Sequence, residues 1–137
     1  MADAFDAPGT VKPFGIFSSA AWQPEGKVLH VSGQVAQDAT GAVMGKGDIR
    51  AQTRQVLENI RTVLAGAGGT MDDVARVTVY VTDMSGLAQI HEVRAQYFRR
   101  PYPASTLVEV RSLVKPEYLI EIDAVAVIPA DRVKRPS

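Results

Sequence analysis

Apolar and polar positions follow two different periods along this chain. A period of two, typical of β-strands, recurs in five stretches, and a period of three to four, typical of amphipathic helices, recurs in two. The predicted strands are 15–22, 27–35, 73–81, 105–114 and 118–128, and the predicted helices are 47–69 and 86–100. This order predicts an α+β fold: a two-layer sandwich with a mixed β-sheet and two α-helices on one face.

Turn and capping residues delimit several of these elements. The segment 23–26, with its proline and glycine, separates the first two predicted strands, which we expect to form a hairpin. Asp48 is the predicted N-cap of the first helix, and the glycine-rich segment 66–69 ends it. Asp83 or Ser85 is expected to cap the second helix.

A single sheet with helices on one face leaves its other face uncovered. Alternation places Val28, Thr78 and Tyr80 on that second face. A face of this kind meets either solvent or another subunit, so we expect an oligomer.

Length and composition indicate one globular domain. The 137 residues are 46% hydrophobic and 22% charged, which favours a single domain, 1–137, with a core at about 14–128 between a flexible N-terminal arm and a polar C-terminal tail. No apolar run reaches the roughly 20 residues of a membrane span, and the start lacks the pattern of a secretory signal. We therefore expect a cytoplasmic protein without a membrane partner.

Charge and cysteine content exclude several kinds of chemistry. With 15 basic and 15 acidic residues the formal net charge is zero, so general attraction to nucleic acid is not supported. The absence of cysteine excludes disulfides and thiolate catalysis. His30 and His91 are the only histidines and lie in no cluster with metal-ligand spacing, so no metal is expected. His30 is either a structural strand residue or a catalytic one, and His91 lies either in solvent or at a subunit seam.

Acidic residues inside predicted strands are the most informative polar pattern. Glu121 and Asp123 alternate with isoleucines in a largely apolar run, and Glu109 has a similar setting. A carboxylate in a half-buried, water-accessible place can hold or deprotonate water. The alternative is an ion pair with Arg76, Arg111 or a neighbouring subunit.

Five segments together resemble the Rid family, the RidA-type enamine and imine deaminases. They are HVSGQVA (30–36), DIRAQTRQVLENI (48–60), VTVYVTDM (77–84), YPASTLVEV (102–110) and LIEIDAVAV (119–127). The resemblance implies a chorismate-mutase-like fold and a homotrimer with three clefts between subunits. It also implies hydrolysis of 2-aminoacrylate, or its tautomer 2-iminopropionate, to pyruvate and ammonia without metal or organic cofactor.

The resemblance assigns roles to three residues that match the family motifs. Ser32 and Gln34 match the family's Ser-Gly-Gln strand end, with the serine near the substrate. Glu121 matches the acid that positions the attacking water and moves its proton. These three residues are the expected polar part of the site.

Four other site positions depart from the family pattern. Ser105 stands where an arginine grips the substrate carboxylate, Leu107 where a cysteine is usual, Phe14 where a tyrosine is usual, and His91 where an asparagine is frequent. A serine hydroxyl cannot reproduce the planar, bidentate grip of a guanidinium. Either another arginine, Arg111 or Arg94, reaches the cleft, or the ligand is larger or lacks the carboxylate, as for 2-aminomuconate deaminases.

Two functional hypotheses follow from these residues. The first is hydrolytic deamination of a small reactive enamine or imine, with Glu121 as acid and base and with Ser32, Ser105 and Gln34 as ligand contacts. The second is a non-catalytic trimer that binds a small metabolite or a partner protein in the same clefts. Ribonuclease or translation-inhibitor activity, attached to some relatives, is disfavoured by the zero net charge.

Overall fold

The computed structural model describes residues 3–135, which fold around a four-stranded sheet. The strands and helices are β1 (Asp3–Phe5), β2 (Ala20–Trp22), β3 (Lys27–Val35), α1 (Ile49–Gly66), β4 (Val74–Val81), α2 (Leu87–Tyr97), β5 (Ala104–Glu109) and β6 (Ile120–Ile128). Short 3₁₀ turns occur at Met71–Asp73, Met84–Gly86 and Ala130–Arg132.

The main sheet has the strand order β3-β6-β4-β5. β4 and β5 run parallel, whereas β6 is antiparallel to both β3 and β4. α1 packs against β3, β6 and α2, and the buried residues of both helices join one hydrophobic core with the strands. The structure therefore confirms the predicted α+β fold, with a mixed sheet and two helices on one face.

Alternation along β4 separates the two faces of this sheet. Val77, Val79 and Val81 are buried in the core with the helices. Thr78 and Tyr80 point the other way and are half-buried. The predicted second face is therefore present, and we refer to it as the open face.

The predicted helix start and stop at α1 are confirmed. Asp48 accepts a hydrogen bond from the backbone N–H of Ala51 at 3.1 Å, as an N-cap does. The helix ends at Gly66, where the following N–H groups turn back onto its last carbonyls. The predicted cap of α2 by Asp83 or Ser85 is wrong, because the helix has Gly86 at its N-cap and no side-chain hydrogen bond there. Asp83 instead caps the preceding 3₁₀ turn Met84–Gly86 by accepting from the N–H of Ser85 at 2.9 Å.

The predicted hairpin between 15–22 and 27–35 is wrong. β2 pairs with β1 over three positions, from Asp3 opposite Trp22 to Phe5 opposite Ala20. β3 pairs instead with β6, from Lys27 opposite Ile128 to Val35 opposite Glu121. The nine-residue β3 makes a far longer ladder with β6 than the three-residue β2 could offer, so the long strands pair with each other.

The segment after β6 is attached to the body of the protein through an ion pair. Arg132 binds Asp73, whose side chain is 0% exposed, with 2.8 Å between Arg132 Nη2 and Asp73 Oδ1. The N-terminal arm contributes β1. Within residues 3–135, neither helix is both long and apolar enough to cross a membrane.

Candidate functional site

The predicted site residues lie on opposite faces of the main sheet. In β5, Ser105 pairs with the buried Val77, so Ser105 and Leu107, two residues on, lie on the helix-covered side. Glu121 in β6 pairs instead with Tyr80, whose side chain belongs to the open face. One chain therefore holds two separate groups of site residues.

A cavity of about 270 Å³ lies where α2, β5 and the N-terminal segment meet. Its apolar wall is formed by Phe14, Phe17, Met84, Leu87 and Leu107, and its polar groups belong to His91, Arg94 and Ser105. Five residues predicted as site residues are therefore brought together here: Phe14, His91, Arg94, Ser105 and Leu107.

Arg94 is the most unusual residue of the cavity. It is 1% exposed, and its Nη2 donates to the backbone carbonyl of Ile16 at 3.0 Å and to Ser105 Oγ at 3.1 Å. Within residues 3–135 no carboxylate pairs with Arg94, and its Nε is buried without an acceptor. Burial lowers the pKa of Arg94 to about 10, so the guanidinium remains charged at neutral pH.

The hydrogen bond between Arg94 and Ser105 explains the serine in β5. The guanidinium of Arg94, carried by α2, lies against the position where the family pattern has an arginine side chain of its own. A second arginine at position 105 would place two like charges together, whereas a hydroxyl accepts a bond from the first. The positive charge is thus supplied from the helix instead of the strand.

His91 lies one turn before Arg94 on the same helix. Its ring packs closely against the backbone of Gly15, where an added Cβ would come within 2.9 Å of His91 Cε1. Burial, and to a lesser extent the charge of Arg94, lowers the pKa of His91 below its ordinary 6.5, so the ring is neutral at pH 7. Its Nδ1 is buried without a hydrogen-bond partner among the described residues.

Three cavity residues were missed by the sequence analysis as site residues: Phe17, Met84 and Leu87. A usable signal was present for one of them. Leu87, His91 and Arg94 follow the i, i+4, i+7 spacing that places side chains on one helical face. Phe17 and Met84 lie in irregular segments whose position depends on tertiary contacts.

The second group of predicted residues lies around a bulge between β3 and β6. The register of this ladder shifts between Val31 and Gln34. The Glu121 side chain packs directly on Gly33, so closely that a Cβ at position 33 would overlap Glu121 Oε2. Gln34 Nε2 donates to the carbonyl of Ser32 at 3.2 Å, while the Ser32 side chain is exposed. Ser32, Gln34 and Glu121 are neighbours here, but none of them lines the cavity.

The side chain of Glu121 makes no ion pair or hydrogen bond with the part of the chain that the structure describes. Its expected alternative partner Arg76 instead donates to Thr106 Oγ1 at 3.2 Å. Asp123, two residues along β6, accepts from the hydroxyl of Tyr80 at 3.1 Å, and this hydrogen bond raises the pKa of Tyr80. The Glu121 carboxylate is therefore available to a ligand or to another copy of the chain.

Three other polar residues raised by the sequence lie outside the cavity. Glu109 accepts the N–H of Met84 at 2.8 Å and so fixes the turn before α2. His30 is exposed on β3, opposite Val125. Arg111 follows β5, is exposed and does not line the cavity, which leaves Arg94 as the arginine that reaches it.

A second cavity, of about 300 Å³, contains none of the predicted site residues. Lys27, Lys134 and Arg135 contribute to its rim together with apolar residues of β3 and β6. Within residues 3–135 there is no group of three or more His, Cys, Asp or Glu side chains placed to hold a metal ion.

Comparisons with known proteins match most of the chain. A family model described as Endoribonuclease L-PSP matches residues 7–128. The chain is 46% identical over 115 residues to a RutC family protein of Pyrococcus horikoshii, and the match covers 84% of this chain and 89% of that relative.

Solved structures extend the likeness over nearly the whole chain. One is a protein of unknown function of the conserved Rid protein family from Yersinia pestis, with a TM-score of 0.85, 39% identity, and coverage of 93% of this chain and 98% of that one. Another is RidA from an Antarctic Psychrobacter species, with a TM-score of 0.70, 33% identity, and coverage of 92% and 94%. These matches confirm the resemblance seen in the sequence motifs. This chain therefore belongs to the Rid family.

Proposed function

We propose that this protein hydrolyses a small 2-imino acid, or its enamine tautomer, to the 2-oxo acid and ammonia, without a cofactor, in clefts between the subunits of a homotrimer. The observation that carries the proposal is the buried charge of Arg94 at the cavity wall, with no carboxylate partner among the described residues. An uncompensated buried charge is costly in free energy, and an anionic ligand would supply the missing counter-charge.

Arg94 is the proposed anchor for the substrate carboxylate. Its Nη2 is already fixed by Ile16 and Ser105, which orients the planar guanidinium before a ligand arrives. A guanidinium donates strong, charge-assisted hydrogen bonds to a carboxylate. Arg94 thus takes the role that the family resemblance gives to an arginine at position 105.

Glu121 is the proposed acid and base. Its carboxylate takes a proton from water as the water oxygen bonds to the imine carbon, and it returns that proton to the nitrogen, giving a carbinolamine. A second proton then moves from the new hydroxyl to the nitrogen, the C–N bond breaks and ammonia leaves. The remaining carbonyl completes the 2-oxo acid.

A complete site requires two copies of the chain in this proposal. Arg94 lies on the helix-covered side and Glu121 on the open face, so a single chain does not present both to one substrate. The half-buried Val28, Thr78 and Tyr80 on the open face support contact with a neighbouring subunit. Ser32 and Gln34 would enter the same cleft with Glu121.

The test measures the lifetime of 2-iminopropionate, generated by an amino-acid oxidase and trapped with semicarbazide. Wild-type protein should shorten this lifetime, and Arg94→Met should lower kcat/KM by about ten- to a hundredfold, the loss expected for one charge-assisted contact. Arg111→Met is the matched control and should leave the rate unchanged. Equal rates for Arg94→Met and wild type would contradict the proposal.

A non-catalytic binder would give a different result in the same experiment. It would leave the imine lifetime unchanged while binding pyruvate, the stable 2-oxo analogue, saturably. The family model's description names an endoribonuclease, but the equal numbers of basic and acidic residues, 15 of each, give no general attraction to RNA. Imine hydrolysis is therefore the function to test first.

A further inference from the structure

We infer that the second cavity of this protein, of about 300 Å³, binds small amphipathic carboxylates. It lies between the start of β3 and the C-terminal segment 133–135, and we refer to it as the β3 cavity. This binding is independent of the proposed function, because the β3 cavity shares no lining residue with the cavity that contains Arg94.

The rim of the β3 cavity carries three positive side chains, those of Lys27, Lys134 and Arg135. All three residues are exposed, and within residues 3–135 none of their side chains forms an ion pair. None of the described residues that line the cavity is acidic. In a chain with 15 basic and 15 acidic residues, this grouping leaves local positive charge without a counter-charge, which favours an anionic ligand.

The rest of the lining is apolar. It consists of Val28, Leu29, Ala67, Ile128 and Val133. Hydrocarbon of a ligand would leave water on contact with these residues, which is favourable in proportion to the apolar surface buried. A ligand that uses both the rim and the lining has one anionic group and an apolar body, as a carboxylate with a hydrocarbon chain does.

The C-terminal wall of the β3 cavity is held in place without a ligand. The backbone N–H of Lys134 donates to the carbonyl of Ala67 at 2.9 Å, just after the end of α1. Arg132 donates to the carbonyl of Gly68 at 3.3 Å, and an added Cβ at Gly68 would overlap the Arg132 carbonyl oxygen. The ion pair with Asp73 fixes the same segment. A wall that is already ordered lowers the entropic cost of binding.

The size and lining of the β3 cavity favour a small, singly charged ligand. A volume of about 300 Å³ is at the lower end of the range for small-molecule sites. A polyphosphate or another polyanion would place its charged groups against the apolar lining, where they would lose water without gaining partners. A carboxylate group at the rim leaves the hydrocarbon chain free to contact the lining.

The experiment measures the binding of octanoate to the intact protein by isothermal titration calorimetry. Octanol has the same chain without the charge, and acetate has the charge without the chain. We expect octanoate to bind about tenfold or more tightly than either compound, because it alone uses both the rim and the lining. Binding of octanol or acetate as tight as that of octanoate overturns the inference.

Variants locate the binding site. Lys27→Gln combined with Lys134→Gln should weaken octanoate binding by about tenfold, because two exposed charges are removed. Lys46→Gln is the matched control, since Lys46 is exposed and lies outside the β3 cavity, and it should leave binding unchanged. Val133→Glu adds a negative charge to the lining and should weaken binding by about tenfold or more, whereas Val114→Glu, at an exposed position outside the cavity, should not.

Arg94→Met separates the β3 cavity from the cavity that contains Arg94, where a carboxylate could also bind. Octanoate binding that persists in Arg94→Met and weakens in the variant with both lysines replaced supports the β3 cavity. Binding that is lost in Arg94→Met and persists in the lysine variant overturns the inference, and so does the absence of binding to wild type. None of these results depends on imine hydrolysis, which the semicarbazide assay measures separately.

Discussion

Two charged residues, Asp73 and Arg94, are each 1% exposed, and their surroundings differ. Asp73 accepts hydrogen bonds from both terminal nitrogens of Arg132, at 2.8 and 3.1 Å, and from the N–H of Thr70 at 2.8 Å. Within residues 3–135, Arg94 donates only to neutral oxygens, those of Ile16 and Ser105. A buried charge that serves stability has its counter-charge in the same chain, whereas the buried charge of Arg94 faces a cavity.

The pKa shifts of Asp73 and Arg94 agree with this contrast. Burial alone would raise the pKa of Asp73, but the hydrogen bonds from Arg132 and Thr70 outweigh it and bring the pKa below its ordinary 3.8. Burial lowers the pKa of Arg94 to about 10, and no carboxylate of the described residues opposes this shift. The environment therefore stabilises the charged form of Asp73 and penalises that of Arg94.

Removing the charge of Arg94 should have the largest effect on activity. Arg94→Met keeps similar volume and should leave the melting temperature unchanged or higher, since replacing an uncompensated buried charge by an apolar group is often neutral or stabilising. The same change should lower kcat/KM for imines by about ten- to a hundredfold. A large loss of melting temperature together with full activity would mean that Arg94 is structural. Calorimetric melting and the semicarbazide assay provide the two readings.

Removing the charge of Asp73 should lower stability and leave activity unchanged. Asp73→Asn weakens charge-assisted hydrogen bonds and should lower the free energy of unfolding by about 2 kcal/mol, with activity per folded molecule unchanged. Asp72→Asn is the matched control, because Asp72 pairs with Arg99 at the surface and such pairs contribute little. Denaturant titration of the three proteins measures the effect. Equal losses for Asp72→Asn and Asp73→Asn would contradict the distinction.

Acid should reduce the difference in unfolding free energy between wild type and Asp73→Asn. The folded-state pKa of Asp73 is depressed, so its contribution to stability is fully present well above pH 3.8 and is lost as pH falls through the lower folded value. The gap in unfolding free energy should therefore narrow below about pH 4. Denaturant titrations at pH 7, 4 and 3 check this, and a gap that stays constant would show that the charge of Asp73 is not responsible.

The smallest expected effect concerns the orientation of Arg94. Ser105→Ala removes the acceptor at 3.1 Å and should raise KM by about two- to tenfold while kcat stays near wild type, as for loss of uniform binding. Ser105→Thr keeps a hydroxyl and should restore most of the affinity. A fall in kcat with unchanged KM would show that Ser105 does not act by positioning Arg94.

Much of the fold could be predicted from local patterns. Apolar alternation identified β4 and β6, and Asp48 with the glycines after Gly66 marked the ends of α1. The pairing of β2 was not predictable, because its partner in the N-terminal arm, Asp3–Phe5, is a three-residue strand without a distinctive pattern. Strand partners far apart in sequence depend on the whole sheet, not on the turn between two runs.

The candidate site was predicted only in part. The motifs identified Ser105 and offered Arg94 or Arg111 as the arginine that reaches the cleft, without deciding between them. Arg94 is fixed by Ile16, 78 positions away, a contact that no local pattern reports. Gln52 is likewise 0% exposed, because its amide bonds to Gly45, Glu117 and Leu119 across the fold.

The central claim is that Arg94 of one copy and Glu121 of another act on one substrate. The most direct test co-expresses Arg94→Met and Glu121→Gln, each of which should be a folded trimer with little activity. In randomly mixed trimers about one quarter of the clefts would combine an intact Arg94 with an intact Glu121, so about one quarter of wild-type activity should return. A mixture no more active than the separate variants would contradict a site shared between subunits.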